Sequence, residues 1–180
     1  MSGNGQSLPL VRLVTGARGA GKTHWCEGAI ANARAAGHEV RGLLSPGDFV
    51  AGKKIGIRVR DLHSGAERPL ARAHAPSGAD TKRLWDFDDK ILTWANERLR
   101  AVSHCHTLVV DEVGPMELLE NRGWTAIWSV LRDCDFAQAI LTVRPALLET
   151  CQTRIGQLGE FSWEVISCPI GKDLSASLTQ

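Results

Sequence analysis

Leu13-Val14-Thr15-Gly16-Ala17-Arg18-Gly19-Ala20-Gly21-Lys22-Thr23 begins as a strand and ends as a helix. A short apolar run, Val11 to Val14 with Arg12 inside it, leads into a glycine-rich bend, and Lys22-Thr23 opens a helical stretch. Gly16 to Thr23 fits the phosphate-loop pattern G-x-x-x-x-G-K-[ST] in the strand-to-helix context that its mechanism requires. The glycines let the backbone N–H groups from Gly16 through Gly21, Ala17, Arg18, Gly19 and Ala20 included, turn inward around a polyphosphate. The helix N-terminus adds its positive dipole. Lys22 supplies a mobile cation, and Thr23 a hydroxyl for Mg²⁺.

Outward from the loop, Trp25, Ala29, Ile30, Ala33 and Ala36 recur at helical spacing, and Gly37 stands where a left-handed cap would end the helix. The first helix is therefore expected over Gly21 to Ala36. Glu39 to Leu44 reads as a second strand, returning by the crossover that a parallel sheet needs. The period then changes to two: Ile55, Ile57 and Val59 alternate with Gly56, Arg58 and Arg60, and a turn-rich stretch leads to Arg68-Pro69-Leu70-Ala71-Arg72. An antiparallel hairpin inserted into the α/β pattern accounts for this. Ala73 to Ala79 reads as a mobile loop. Helical spacing resumes at Phe87, Ile91, Trp94, Ala95 and Leu99, with Asp86 as the expected cap.

The second anchor is Thr107-Leu108-Val109-Val110-Asp111-Glu112, an apolar strand that ends in two carboxylates. In an open α/β sheet, ligands bind beyond the carboxyl ends of the strands, so this pair faces the same side as the phosphate loop. Asp111 is expected to hold Mg²⁺ through a water, and Glu112 to orient or deprotonate an attacking water. Trp124, Ile127, Trp128 and Leu131 mark another helix, and Ala139 to Val143 another buried strand. Thr142 and Arg144, at that strand's end, are placed where a γ-phosphate sensor would sit. Pro145 opens a helix carrying Leu147, Leu148, Cys151 and Ile155, and Phe161 to Ile166 is a last alternating strand.

Composition bounds the partners. The chain has 180 residues, 43% of them hydrophobic, enough for one domain with a substantial core. Residues 1–180 are expected to form a single domain, with 1–9 flexible and 175–180 frayed. With 21 basic and 20 acidic residues the net charge is +1, so no global field draws in nucleic acid or an anionic membrane. No run approaches a bilayer span and Met1 to Leu8 lacks a signal-peptide pattern, so a soluble cytoplasmic protein is expected. The five cysteines form no C-x-x-C pair and read as reduced thiols. His104-Cys105-His106 alternates faces on a strand and closes no zinc site without distant partners. Lys53 and Lys54 with Arg58 and Arg60 read as a solvated basic patch on the hairpin. No protein partner is indicated.

Several segments carry a closer likeness. Val14-Thr15-Gly16 through Thr23, Gly42-Leu43-Leu44-Ser45, Lys54-Ile55-Gly56-Ile57 through Leu70-Ala71-Arg72, and Val110-Asp111-Glu112-Val113-Gly114-Pro115-Met116-Glu117-Leu118 occur in one order and spacing. In these the chain resembles the small P-loop nucleoside-triphosphatase family, which takes in the thermophile nucleoside-triphosphatases and the cancer-related nucleoside-triphosphatase. The resemblance covers roughly the first two thirds of the chain. Its most discriminating piece is Asp111 to Leu118, because a generic acidic strand end does not require Gly-x-Met-Glu-Leu after it. The resemblance implies an α/β fold, a P-loop three-layer sandwich of the class with an added strand and a catalytic glutamate. It also implies slow Mg²⁺-dependent hydrolysis of ATP, GTP and other nucleoside triphosphates with low base selectivity. By position, Gly16 to Thr23 with His24, and Asp111 to Gly114 with Val113, bind nucleotide; Lys22 and Glu112 are catalytic, and Thr23 and Asp111 face the metal. His24 departs from a second threonine often found there, and Pro46-Gly47-Asp48-Phe49 lacks the family's Glu-x-Arg.

Read from the residues themselves, two other functions use the same loop. A nucleotide or small-molecule kinase would pass the phosphoryl group to an acceptor hydroxyl, and a nucleotide-dependent switch would use hydrolysis only to reset a partner interface.

Overall fold

The computed structural model describes residues 7–74 and 84–168. Of the expected loop Ala73 to Ala79, residues from 75 onward lie outside the described residues, as do 1–6 and the expected frayed end. The first strand, β1 (Leu10–Thr15), runs through the phosphate loop into α1 (Lys22–Ala35). Gly37, at φ 78°, takes the left-handed turn that its position after α1 predicts.

After β2 (Val40–Leu44) come four strands, β3 (Gly47–Val50), β4 (Lys53–Asp61), β5 (Glu67–Ala73) and β6 (Trp85–Phe87). The remaining elements are α2 (Asp89–Arg100), β7 (His104–Val113), α3 (Pro115–Leu118), α4 (Ile127–Asp133), β8 (Asp135–Val143), a 3-10 turn at Pro145–Leu147, α5 (Leu148–Gly156) and β9 (Ser162–Ser167).

Nine strands form one sheet in the order β6-β5-β4-β2-β7-β8-β1-β9, with β3 paired to β4. From β2 to β9 every neighbouring pair is parallel, whereas β3 to β6 are antiparallel. The two-residue period thus predicts β4 and β5 correctly, but the inserted unit is larger than a hairpin. β3 lacks alternation and β6 is only three residues long, too short to leave a period. β6 also corrects the expected cap of α2. Trp85-Asp86-Phe87 pairs with β5, and Asp88 rather than Asp86 caps the helix, accepting hydrogen bonds from the N–H groups of Lys90 and Ile91 at 2.9 and 3.3 Å.

Side chains alternate across the parallel strands into two apolar cores. On one face Val14, Val109 and Ile140 pack under α1 with Cys26 and Ile30. On the other, Val11, Leu13, Leu108, Val110, Ala139 and Leu141 pack under α2, α4 and α5. This three-layer arrangement makes the carboxyl-end halves of the central parallel strands β1, β2, β7 and β8 largely apolar on both faces, so a buried polar side chain in these strands stands out. Buried Asp111, Thr107 and Thr142 are such residues.

Candidate active site

β8 lies between β1 and β7, pairing in parallel with each. The phosphate-loop strand and the acidic strand are therefore two strand spacings apart, about 10 Å at the usual sheet interval. That gap suits a ligand whose phosphates lie at the loop and whose reacting end reaches the carboxylates.

The phosphate loop is built for an anion. Gly19 and Gly21 sit at φ 78° and 88°, a left-handed conformation that side chains resist, with open space around each. No side chain caps the first turn of α1 and no acidic residue stands in it, which leaves its N–H groups to an outside acceptor. The Lys22 ammonium is folded over the loop, donating to the carbonyls of Gly16 and Ala17 at 2.9 and 3.0 Å. His24 points outward, its ring exposed and 3.5 Å from Glu27, so only its backbone belongs to the loop.

At the end of β7 the ladder to β8 slips between Val110 and Val113. Glu112 occupies the bulge at φ 68°, one of three non-glycine residues with positive φ among the described residues. Such a conformation costs about 1 kcal/mol or more and re-aims a side chain that the pleat alone would not place. Its N–H donates to Thr142 Oγ1 at 2.6 Å, and Thr142 Oγ1 donates to Asp111 Oδ1 at 2.8 Å. Thr142 is fully buried, with both of these bonds directed at the acidic pair. That hydroxyl supports the pair, and of the two expected sensors only Arg144 lines the cleft side beside Glu112 without this commitment.

Asp111 is fully buried. Burial pushes its carboxyl above the usual range, opposed by hydrogen bonds from Thr142, Thr23 and the Ser45 backbone. The Ser45 N–H donates to Oδ2 at 3.2 Å. Ser45 is a site residue that the sequence reading names only as part of a likeness. Its signal is positional: a small polar residue ending the strand next to the carboxylate strand.

A third carboxylate holds the segment beyond Glu112. Glu117 accepts from Gly114 N–H and Trp124 N–H, both at 2.8 Å, making the half of a capping box in which the N3 carboxylate reaches back to the N-cap N–H of α3. Gly123 lies so close that a Cβ there would stand 1.8 Å from Glu117 Oε1. Lys22, Glu112, Val113, Gly114, Thr142 and Arg144 line one small cleft, so the two anchors expected from the sequence converge.

A family profile described as NTPase matches residues 12–166. The chain belongs to this NTPase family. Among its relatives are proteins named nucleoside-triphosphatase THEP1. That of Methanopyrus kandleri is 37% identical over 114 residues, 63% of either chain. That of Ignicoccus hospitalis is 32% identical over 143 residues, covering 71% of this chain and 80% of the relative. The match spans about three fifths of the length of the first two relatives, 63% and 59%. In fold, the chain is similar to the solution structure of a human cancer-related nucleoside triphosphatase, with TM-score 0.60, 22% identity, and coverage of 93% of this chain and 90% of that one. THEP1 from Aquifex aeolicus gives TM-score 0.50 at 15% identity, over 88% and 89% of the two chains. The fold is that of the P-loop NTPases.

Proposed function

We propose that this NTPase-family protein hydrolyses nucleoside triphosphates such as ATP and GTP to the diphosphate and phosphate, slowly and with low base selectivity. The observation that carries the reading is Glu112, held at φ 68° in a bulge beside buried Asp111 and sharing a cleft with Lys22. A strained carboxylate at that place suits a group that must meet a water rather than pack.

The loop N–H groups and Lys22 hold the β- and γ-phosphates, and Glu112 takes the proton of the attacking water. Little covalent chemistry falls to the protein, so positioning and charge neutralisation lower the barrier. Thr142 keeps Asp111 and the Glu112 backbone in register. Thr23 and Asp111 offer the hard oxygens that suit Mg²⁺, an ion that keeps several waters and takes few protein ligands. Bound there, Mg²⁺ neutralises phosphate charge. The free cysteines at 26, 105, 134, 151 and 168 fit a reducing compartment, and we place the protein in the cytoplasm. No helix of the described residues is long and apolar enough to cross a membrane.

A panel of nucleoside triphosphates assayed for inorganic phosphate with and without Mg²⁺ tests this reading. Release with each of several bases, dependent on Mg²⁺, is the expected result. Glu112→Gln is expected to bind nucleotide as the parent does and to lose turnover by about 10²- to 10⁴-fold. Parent-like turnover in Glu112→Gln would remove it as the base.

A further inference from the structure

The phosphate loop brings one lysine to the site, and the antiparallel strands bring another. Lys54, in β4, is half-buried, whereas Lys53 beside it is exposed. The Lys54 ammonium pairs with no carboxylate among the described residues. It lies 5.5 Å from the centre of the Trp85 ring. The Arg18 guanidinium, from the phosphate loop, lies 5.4 Å from the same ring. One indole thus seats a cation from each half of the sheet, by the attraction of a ring face for positive charge.

The charges that act on Lys54 all belong to the site. Glu112 and Asp111 attract its ammonium, and Arg18 and Arg144 repel it. The largest effect is burial, which lowers its affinity for a proton below that of an ordinary lysine. A partly desolvated ammonium that makes no ion pair among the described residues, and feels Glu112 and Asp111 only at longer range, is a cost to the folded protein. A polyphosphate arriving among these groups offsets the cost, because it brings negative charge within reach of the ammonium. The segment after β2, Ser45-Pro46 and the start of β3 through Phe49, contains no arginine to serve instead.

We propose that Lys54 is a second charge donor to the transferring phosphoryl group, delivered from the antiparallel strands and seated on Trp85 until nucleotide binds. The inference rests on the hydrolase reading above. In the step itself, a water oxygen bonds to the γ-phosphorus, the bond from that phosphorus to the β,γ-bridging oxygen breaks, and the water proton passes to Glu112. Lys54 neutralises charge on the γ-phosphoryl oxygens as this happens, and forms no covalent bond. A group that acts on charge developing in the transition state affects turnover more than ground-state binding.

Phosphate release and nucleotide binding measured together on the parent, Lys54→Met, Lys54→Arg and Lys22→Ala test it. Lys54→Met is expected to lower kcat roughly 100-fold with KM for MgATP changed less than about fivefold. Lys54→Arg, which keeps the charge, is expected to recover most of the loss. Calorimetry adds a readout that a packing role would not move: Lys54→Met binds ADP as the parent does, but loses the extra affinity for ADP with aluminium fluoride, a planar mimic of the transferring group. Its thermal melting is expected at or above the parent's. Parent-like kcat in Lys54→Met, equal loss in Lys54→Arg, or a melting temperature well below the parent's would each overturn the assignment. If the parent itself releases no phosphate, the hydrolase reading falls. If the parent turns over and Lys22→Ala does not, while Lys54→Met matches the parent, Lys54 alone is wrong.

Discussion

The parallel half of the sheet and its antiparallel extension meet at β2 and β4, and they build the site in different ways. In the parallel half each site residue lies at a strand end, where the fold puts it: Gly16 after β1, Ser45 after β2, Asp111 and Glu112 at the end of β7, Thr142 near the end of β8. The extension contributes through side chains that reach across, Lys54 from β4 and Trp85 from β6. The difference separates groups that the fold itself sets at strand ends from groups that reach the site across the sheet. In the proposed reaction the loop N–H groups and Lys22 hold the phosphates and Glu112 takes the proton of the water, and the role proposed for Lys54 adds charge neutralisation from outside the parallel layer.

The largest expected effect breaks this division from the binding side. Lys22→Ala removes an ammonium that donates to Gly16 and Ala17 carbonyls and lies in the cleft with Glu112. Losing a charge-assisted contact to phosphate is worth about 2–3 kcal/mol, or a 30- to 150-fold loss of nucleotide affinity, and turnover should fall with it. Calorimetric titration with ATP reads the first and phosphate release the second. Unchanged affinity would mean that the loop is a structural glycine turn.

Thr142→Val is expected to act at smaller scale within the same half. It keeps the volume but leaves the Glu112 N–H without its 2.6 Å acceptor and removes the 2.8 Å bond to Asp111. The Glu112 N–H is part-buried, so leaving it unsatisfied costs about 1 kcal/mol, the low end of the range for a buried group. The urea midpoint should fall accordingly, and kcat should drop about tenfold with KM nearly constant. A fall in stability with kcat intact would show that Thr142 props the fold without ordering the acidic pair.

These two halves also differ in how far the chain itself announces them. The phosphate loop and Asp111-Glu112 are legible because each is a local pattern whose chemistry dictates spacing within a few residues. β4 and β5 announce themselves through a two-residue period over several positions. β3 and β6 do not, and the helix cap was therefore expected at Asp86 when Phe87 still belongs to a strand. Glu117 left a usable trace, since Gly114 to Glu117 has the N-cap to N3 spacing of a capping box. Lys54 left none. Beside Lys53, Arg58 and Arg60 it looks like one more solvated base, and only the pairing of β6 with β5 brings Trp85 to it, on which Arg18 of the phosphate loop also lies. Contacts made across long sequence separations carry no local periodicity, so a residue of this kind emerges only with the sheet.

The smallest expected effect sharpens the comparison through pH. Lys54 must be charged to neutralise phosphate, and its ammonium form is lost as pH rises through its value in the folded protein. Burial, with Arg18 and Arg144 nearby, lowers that value below the ordinary 10.5, while Glu112 and Asp111 pull the other way. The alkaline limb of kcat/KM, which reports groups of the free enzyme, should therefore begin below the pH at which an exposed lysine titrates. Lys54→Arg, whose guanidinium stays protonated throughout, should move that limb to higher pH while leaving the neutral plateau within a few-fold. A limb that stays in place in Lys54→Arg takes the titration away from Lys54 and returns the whole of the charge donation to the parallel half.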